Sequence, residues 1–322
     1  MRKILLTGGA GFIGSHVAER LCGAFPGAEV VILDKMTYAA DYSYITDLVT
    51  QGQAKLVVGD VCDYELCNRL ASGCDLVIHA AAESHVDRSF RSSILFTQTN
   101  TLGTHTVLEA CRSAGVPRII HVSTDEVYGE VLAGDCIETQ FLNPTNPYSS
   151  SKAAAEMVVS GYLHSFKLPI ITVRANNIFG IRQYPEKLIP RAIMSLIAGN
   201  KIPLHGNGAN IRHYLSAHDF ADALVLLIEK GIPGEAYNIG SPDEYANKFV
   251  VEMICREFGA DFEASVEMVQ DRPFNDRRYS ISWKKISELG WEPRRSLLKE
   301  LPRIIKWYRD NSNHIMGKLV FD

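Results

Sequence analysis

Two short stretches of this 322-residue chain set ionisable side chains where they could work on a substrate. In HVSTDEVYGE, Asp125 and Glu126 stand side by side after an apolar run and a Ser123-Thr124 step. Charged residues after a strand often do no more than meet water. Buried together, however, one carboxyl is pushed to keep its proton while its neighbour stays ionised, which gives an acid and a base at one place. In YSSSK, Tyr148 and Lys152 are four apart and share a helix face. An ammonium beside a phenol, assisted by a positive nicotinamide ring, lowers the phenol's pKa from about 10 toward working pH and makes it a base for an alcohol proton. Taken alone, that pair is an ordinary contact on an amphipathic helix.

The elements that must position these residues are legible in the first half of the chain. KILLT, EVVILD, AKLVVGD, DLVIHAA and RIIHVST read as strands, with helices between them starting near Gly11, Asp63 and Ser89. Strands apolar on both faces and separated by helices predict a parallel sheet covered on both sides and joined by right-handed crossovers. The fold class expected is therefore α/β, a doubly wound parallel sheet of the Rossmann kind. A helix over Pro147 to Phe166 follows from its Pro start and Ala-rich filling, and LPIITVRA is a sixth strand.

Beyond Ala175 the texture becomes rich in Asn, Gly, Pro and basic residues, and shorter, more dispersed helices are expected there. We assign residues 1–175 to a nucleotide-binding domain, with a return segment near 214–240. Residues 176–213 and 241–322 form a smaller mixed α/β substrate lobe sharing one cleft with it. The tail NSNHIMGKLVFD has an apolar end that could dock on the body.

The glycine turn says what the sheet would hold. In KILLTGGAGFIGSH, Gly8, Gly11 and Gly14 follow a strand and open a helix. They serve a tight turn, close approach of backbone to a pyrophosphate, and helix-to-strand packing, while the helix N-terminus offers free N–H groups. Asp34 ends VVILD, where a carboxylate accepts hydrogen bonds from both adenosine ribose hydroxyls and repels a 2′-phosphate, so NAD is favoured over NADP. Asp60 is placed either at the adenine edge or as a helix cap.

Composition excludes several alternatives. A formal charge of -4 supplies no basic field for nucleic acid. No apolar run reaches the roughly 20 residues that cross a bilayer, and the first residues read as strand and turn, not as a signal peptide. A cytoplasmic location without membrane contact is expected. The 7 cysteines (Cys22, Cys62, Cys67, Cys74, Cys111, Cys136 and Cys255) include no CxxC pair, so reduced thiols and no metal are expected.

TGGAGFIG, AAESHVDRS, VSTDEVYGE, NPYSSSKAAAE, YPEKLIP and DRPFNDRRY together resemble the extended short-chain dehydrogenases, and within them the nucleotide-sugar 4,6-dehydratases. The resemblance runs to about Asn311. The glycine pattern and the Tyr-Lys pair are shared with epimerases and decarboxylases, whereas the acid pair points to dehydration. The implied reaction removes water across C5 and C6 of an NDP-hexose to give a 4-keto-6-deoxy sugar, with NAD returned to its starting state. By the same resemblance Tyr148 with Lys152 oxidises C4, Glu126 takes the C5 proton, Asp125 protonates the leaving C6 hydroxyl, and Thr124 holds the C4 oxygen.

The resemblance also implies that Gly8, Gly11, Phe12, Ile13, Gly14, Asp34, Lys35, Asp60, Val61, Ala80, Ala82, Asn100, Tyr148 and Lys152 contact NAD. Asn100 is alternatively a residue that fixes local helix geometry. Ser84 and Asp87 become sugar-hydroxyl partners, and His85 either a proton carrier or a loop histidine held by backbone. Asn177, Lys187, Arg212, Asn247, Arg272 and Asn275 fall to the nucleotide diphosphate, where charge and forked donors suit phosphate. A UDP-glucose or dTDP-glucose substrate and a homodimer through the helices of Ser89 to Ala114 and Pro147 to Phe166 follow. Phe274-Asn275 and Gly180-Ile181-Arg182 depart from the dTDP-glucose pattern and tilt the reading slightly to UDP, while His213 and Ser216 depart from commoner choices and leave the base open. A 4-epimerase or decarboxylase of the same fold is the alternative, and a non-catalytic NAD-binding protein a second.

Overall fold

The structure, a computed structural model, describes residues 1–317. In chain order the strands are β1 (Lys3–Thr7), β2 (Glu29–Asp34), β3 (Ala54–Val58), β4 (Leu76–His79), β5 (Ile119–Thr124), β6 (Ile170–Ala175), β7 (Asn177–Phe179), β8 (Ile202–His205), β9 (Ile211–Ser216), β10 (Ala236–Ile239), β11 (Glu244–Ala246) and β12 (Val266–Val269). Seven of them make the central sheet, in the order β10-β6-β5-β4-β1-β2-β3, and every neighbouring pair is parallel. The expected doubly wound sheet is present, and β10 extends it by a strand that the sequence reading did not identify.

Burial on both faces follows the two-residue period of a strand. Ile4, Leu6, Val30 and Ile32 pack with the helices Phe12–Ala24 and Ala217–Lys230, while Leu5, Val31 and Leu33 face the opposite layer of Tyr64–Ala71, Gly103–Ala114 and Pro147–Phe166. Each such fully buried aliphatic side chain contributes on the order of 1.5–3 kcal/mol relative to exposure. The sheet is therefore a rigid platform whose strand ends are fixed in space.

The order reverses between β1 and β4, where Thr7 lies beside His79. Chain crossovers leave that edge in opposite directions, opening a crevice at the carboxyl ends of the strands. A second lobe stands over it, built from a mixed sheet β11-β9-β7, a parallel β8/β12 pair and the helices Leu188–Ile197, Asn247–Phe258 and Leu297–Asp310. Those helices have 10, 12 and 14 residues, and the short helices expected beyond Ala175 appear beside them as Phe262–Ser265, Lys284–Ser287 and Ser312–Met316.

The helix expected from Ser89 is instead a broken path: Val86–Arg91, Ser93–Phe96, a widened π turn at Thr97–Leu102 and then Gly103–Ala114. Such a turn re-aims side chains within an otherwise helical run, and here it delivers Asn100 inward. In the tail, Ile315 is buried and His314 Nε2 lies 2.6 Å from the Asp41 carboxylate, so the segment up to Gly317 docks on the body. The remaining tail residues of that reading lie outside the described residues.

Candidate active site

The glycine turn forms one end of the cleft. Gly8 adopts φ +74, in the left-handed region that favours glycine, and a Cβ on Gly14 would sit 2.0 Å from the Gly8 carbonyl oxygen. By contrast, a Cβ on Gly11 would meet only the Gly8 oxygen, at 3.5 Å. The turn thus closes tightly behind and leaves its front open, which fits a pyrophosphate lying against the backbone N–H groups. Phe12, Ile13, Lys35, Val61, Ala80 and Ala82 continue the same wall. Asp34 accepts hydrogen bonds from the Ala10 and Met36 N–H groups, both at 2.9 Å, and this locks its carboxylate at the rim while burial pushes its pKa up. Asp60 pairs with Lys35 at 2.7 Å and closes a turn onto the Cys62 N–H; the cap of the next helix is Asp63. These residues, as placed, fit a dinucleotide.

The chemical wall stands where β5 ends. Thr124 opens a short 3₁₀ turn and its Oγ1 accepts from the Glu126 N–H at 3.3 Å. That turn buries both Asp125 and Glu126. Burial pushes the Asp125 carboxyl up to about 7; the Glu126 charge adds to this, while hydrogen bonds from Asn176 and Thr124 and the Arg212 charge work against it. The pair is therefore not a solvated surface turn, because both residues are buried in the wall of the cleft.

Tyr148 and Lys152 reach the same wall from the first turns of the Pro147–Phe166 helix. Asn146 caps that helix reciprocally with Ser149, and Pro147 occupies its first turn, which fixes the direction in which Tyr148 leaves the backbone. On balance the chain's own groups do not lower the phenol. Lys152 Nζ donates to the Val122 carbonyl at 2.6 Å, and burial lowers its pKa to about 8 against the raising effect of Glu156. The Tyr148 phenol is held above its ordinary value by burial and next by the Glu126 charge, with only the Thr124 hydrogen bond pulling it down. In the chain by itself, burial dominates and the two neighbouring carboxyls add to it.

The far end of the cleft gathers Ser84, Asp87, Asn177, Lys187, Arg212, Asn247, Arg272 and Asn275, with Arg191 and Tyr279 among them. Their pairings differ from simple donors awaiting a phosphate. Arg272 is forked onto Asp87, Lys187 Nζ donates to the Ser84 carbonyl at 2.7 Å, and Arg212 Nη2 donates to Asn275 Oδ1 at 3.2 Å while its guanidinium lies over the Tyr279 ring. His85 sits between Asp87 and Glu186, 3.4 Å from each, and burial lowers its pKa to about 3, so it is a neutral imidazole flanked by carboxylates.

Asn100 fits the alternative reading, a residue that fixes local geometry. Its amide accepts from the Glu83 N–H at 2.8 Å and donates to the Glu83 carbonyl and Ser151 Oγ, both at 2.9 Å, so it is spent on holding the β4 loop and does not line the cleft. Every other assigned residue does line it. Two residues that reach the acid pair escaped the sequence reading. Asn146 Nδ2 donates to Glu126 at 3.3 Å, and Asn176 Nδ2 donates to Asp125 at 2.8 Å. Asn146 carried a signal, since an Asn before a helix-opening Pro is a cap; Asn176, at a strand end, carried none.

The cleft encloses about 410 Å³, within the range of small-molecule sites. Among the described residues no group of three His, Cys, Asp or Glu side chains could hold a metal ion, no helix is long and apolar enough to cross a membrane, and all seven cysteines are unpaired thiols.

Residues 5–303 match the GDP-mannose 4,6-dehydratase family. A trifunctional UDP-glucose 4,6-dehydratase/UDP-4-keto-6-deoxy-D-glucose 3,5-epimerase/UDP-4-keto-L-rhamnose-reductase of Arabidopsis thaliana is 44% identical over 317 residues, covering 96% of this chain and 47% of the plant protein. The chain thus spans about half the length of that relative. A dTDP-D-glucose 4,6-dehydratase of Dictyostelium discoideum is 38% identical over 98% of this chain and 83% of its own length. The crystal structure of dTDP-glucose 4,6-dehydratase from Streptomyces venezuelae, with NAD and dTDP bound, superposes with a TM-score of 0.96 at 39% identity, covering 98% of this chain and 100% of that one.

Proposed function

The chain belongs to the GDP-mannose 4,6-dehydratase family, and from that premise we propose that it is an NAD-dependent nucleotide-sugar 4,6-dehydratase. It converts UDP-glucose or dTDP-glucose to the NDP-4-keto-6-deoxy-glucose and water. The observation that carries this reading is the Asp125 carboxyl, raised to about 7 by burial and set beside Glu126 on the wall that also presents Tyr148. A 4-epimerase or decarboxylase needs only the Tyr148 and Lys152 pair, and an NAD-binding protein without activity needs none of the four.

The division of labour follows from position. Tyr148 receives the C4 hydroxyl proton, and the C4 ketone then acidifies the C5 hydrogen. Glu126, as a carboxylate, takes that proton, and the electron pair left on C5 forms the C5–C6 double bond as the C6–O bond breaks. Asp125 delivers its proton to the departing oxygen, which leaves as water, and Glu126 afterwards returns its proton to C5. NAD, bound against the glycine turn, accepts the hydride from C4, gives it back at C6, and adds positive charge beside the phenol. One turnover leaves Tyr148 a proton richer and Asp125 a proton poorer. Thr124, hydrogen-bonded to Tyr148 and with its Oγ1 3.3 Å from Asp125 Oδ1, stands on the path that resets them.

Asn177, Lys187, Arg212, Asn247, Arg272 and Asn275 then receive the nucleotide diphosphate, with Ser84 and Asp87 toward the sugar. UDP is the favoured nucleotide, on the Phe274-Asn275 and Gly180-Ile181-Arg182 departures and the likeness to the plant relative. Residues 1–175 with 214–240 serve NAD, and 176–213 with the segment from 241 serve the sugar nucleotide. The protein acts in the cytoplasm as a homodimer through the helices that expose Ile94, Leu102 and Met157, a state that light scattering would read directly.

Incubation of purified protein with each nucleotide sugar and mass spectrometry tests the reaction. Loss of one water without lasting NADH is expected. A clean C4 epimer, loss of carbon dioxide, or lasting NADH would overturn the reading.

A further inference from the structure

Acid catalysis at C6 requires that the acid's proton sit on the oxygen that can reach the leaving group, and the two oxygens of Asp125 have different surroundings. Resting on the dehydratase reading above, we propose that Asn176 is a positioning residue that confines the acid proton of Asp125 to Oδ1, the oxygen on the Thr124 side.

Asn176 follows β6 directly and is 3% exposed, against 2% for Asp125. Its side-chain Oδ1 accepts from the Ser241 backbone N–H at 3.1 Å, and its own N–H donates to the Ile239 carbonyl at 3.2 Å. A backbone N–H can only donate, so the orientation of the amide is fixed and its NH₂ must face Asp125. Nδ2 lies 2.8 Å from Asp125 Oδ2. With an N–H pointed at it, Oδ2 is an acceptor, and a proton placed there would face another donor. Thr124 Oγ1 donates to Oδ1 at 3.3 Å, but a hydroxyl can turn to accept where an amide NH₂ cannot, so the proton belongs on Oδ1.

The amide's seat is itself built. A Cβ on Gly240 would lie 2.8 Å from Asn176 Oδ1 and 2.7 Å from the Trp283 ring, so the approach of the amide depends on glycine there. The charged and titratable groups that bear on Asp125 are Glu126 from its own turn, Arg212 from β9, Tyr148 from the 147–166 helix and Cys136 from the following loop. Among the influences on the carboxyl, Asn176 has the largest lowering effect, opposing burial. It thus holds the acid within reach of neutral pH as well as orienting it.

Two variants separate this role from a structural one. Asn176→Ala removes the donor. Asn176→Asp keeps the shape and an oxygen for Ser241 but presents a carboxyl oxygen to Oδ2, drawing the proton to the wrong side. In heavy water with the favoured nucleotide sugar, both variants should still form NADH and exchange the C5 hydrogen, while loss of the C6 hydroxyl falls by about 10²-fold, the typical share of a placed general acid. For Asn176→Ala the alkaline limb of water loss should also move to higher pH.

Unaltered water loss and pH profile in both variants would overturn the proposal, as would an equal slowing of oxidation, exchange and elimination. If either fails to fold, as read by thermal melting, the other decides. If neither folds, Gly240→Ala decides, because crowding the amide should give the same split between exchange and water loss. A parent protein that dehydrates no nucleotide sugar would instead sink the functional reading on which this rests.

Discussion

Arg272 grips Asp87 across the mouth of the cleft, Nε to Oδ1 at 2.6 Å and Nη2 to Oδ2 at 3.1 Å. The pair ties the loop after β4 to the smaller lobe. His85 and Glu186 extend the polar contacts to Tyr38, whose hydroxyl donates to Glu186 at 2.9 Å. Both partners are about a quarter exposed, so the bridge itself contributes little, roughly 1 kcal/mol or less. Its importance is as a donor held ready. Arg272→Ala should weaken binding of a nucleoside diphosphate by about 10-fold or more, as loss of a charge-assisted fork implies, and leave NAD affinity unchanged. Calorimetric titration with each ligand separately reads this, and equal losses for both would count against it.

The raised Asp125 carboxyl has consequences for both rate and stability. As the acid for water loss it must be protonated, so turnover should decline as pH rises through about 7. For stability, the unfolded group titrates near 3.8, so between there and about 7 the folded chain retains a proton that the unfolded chain has released. Stability contributed by this group is therefore present below the window and lost as pH climbs through it. Asp125→Asn cannot ionise, so it should be more stable than the parent above pH 7, by on the order of a few kcal/mol at most, with no advantage below the window. Denaturant melts at acid and alkaline pH check the sign.

Glu126→Gln isolates the base. Asn146 can still hold the side chain through the remaining oxygen, so the fold and C4 oxidation should persist. C5 exchange and water loss should drop by about 10²- to 10⁴-fold, and NADH should accumulate on the enzyme. An epimerase would scarcely register the change, so persistence of full turnover would argue for that alternative.

How far this site could be read from sequence depended on whether a side chain's role is set locally. Gly8, Gly14 and Asp34 are fixed by one strand-turn-helix unit, so their spacing announced them. Asp125 and Glu126 were visible because they end an apolar strand. Asn176 was not, since its role arises only when β6 lies beside β5 and the Ile239–Ser241 turn comes back onto it. For Asn100 the sequence left two roles open, because it sits in a π turn that aims it into the β4 loop, and no periodicity foretells such a turn. The raised Tyr148 phenol was not legible either, because four-residue spacing shows Lys152 but neither the burial nor the Glu126 charge brought in from the turn after β5.

Gly14→Ala tests the glycine turn more severely than any change at the rim. The new Cβ would fall 2.0 Å from a backbone carbonyl oxygen, and no side chain can move to make room. The 12–24 helix must shift off β1, at about 1–3 kcal/mol by analogy with overpacked cores. NAD binding should be lost even where the protein stays folded, and a tryptophan or NADH fluorescence titration against melting temperature distinguishes the two effects.

The helix that carries Tyr148 and Lys152 is anchored one turn beyond them by an ion pair, and this yields the last prediction. Glu156 receives Arg174 through Nε at 3.1 Å and Nη2 at 2.6 Å, with both side chains buried, and Arg174 also donates to the Tyr128 hydroxyl at 2.6 Å. Removing one partner strands a buried charge, so Glu156→Gln or Arg174→Met alone should cost about 3–5 kcal/mol, whereas the double variant should recover much of that loss. Activity should follow a different rule. Glu156 is the charge that raises the Lys152 pKa against burial, so without it the ammonium should deprotonate below its present value of about 8. Arg174→Met, which leaves Glu156 in place, should keep Lys152 charged. At equal fractions folded, the Glu156 variants should therefore lose C4 oxidation at a lower pH than Arg174→Met does, a difference that single-turnover NADH formation across pH would resolve.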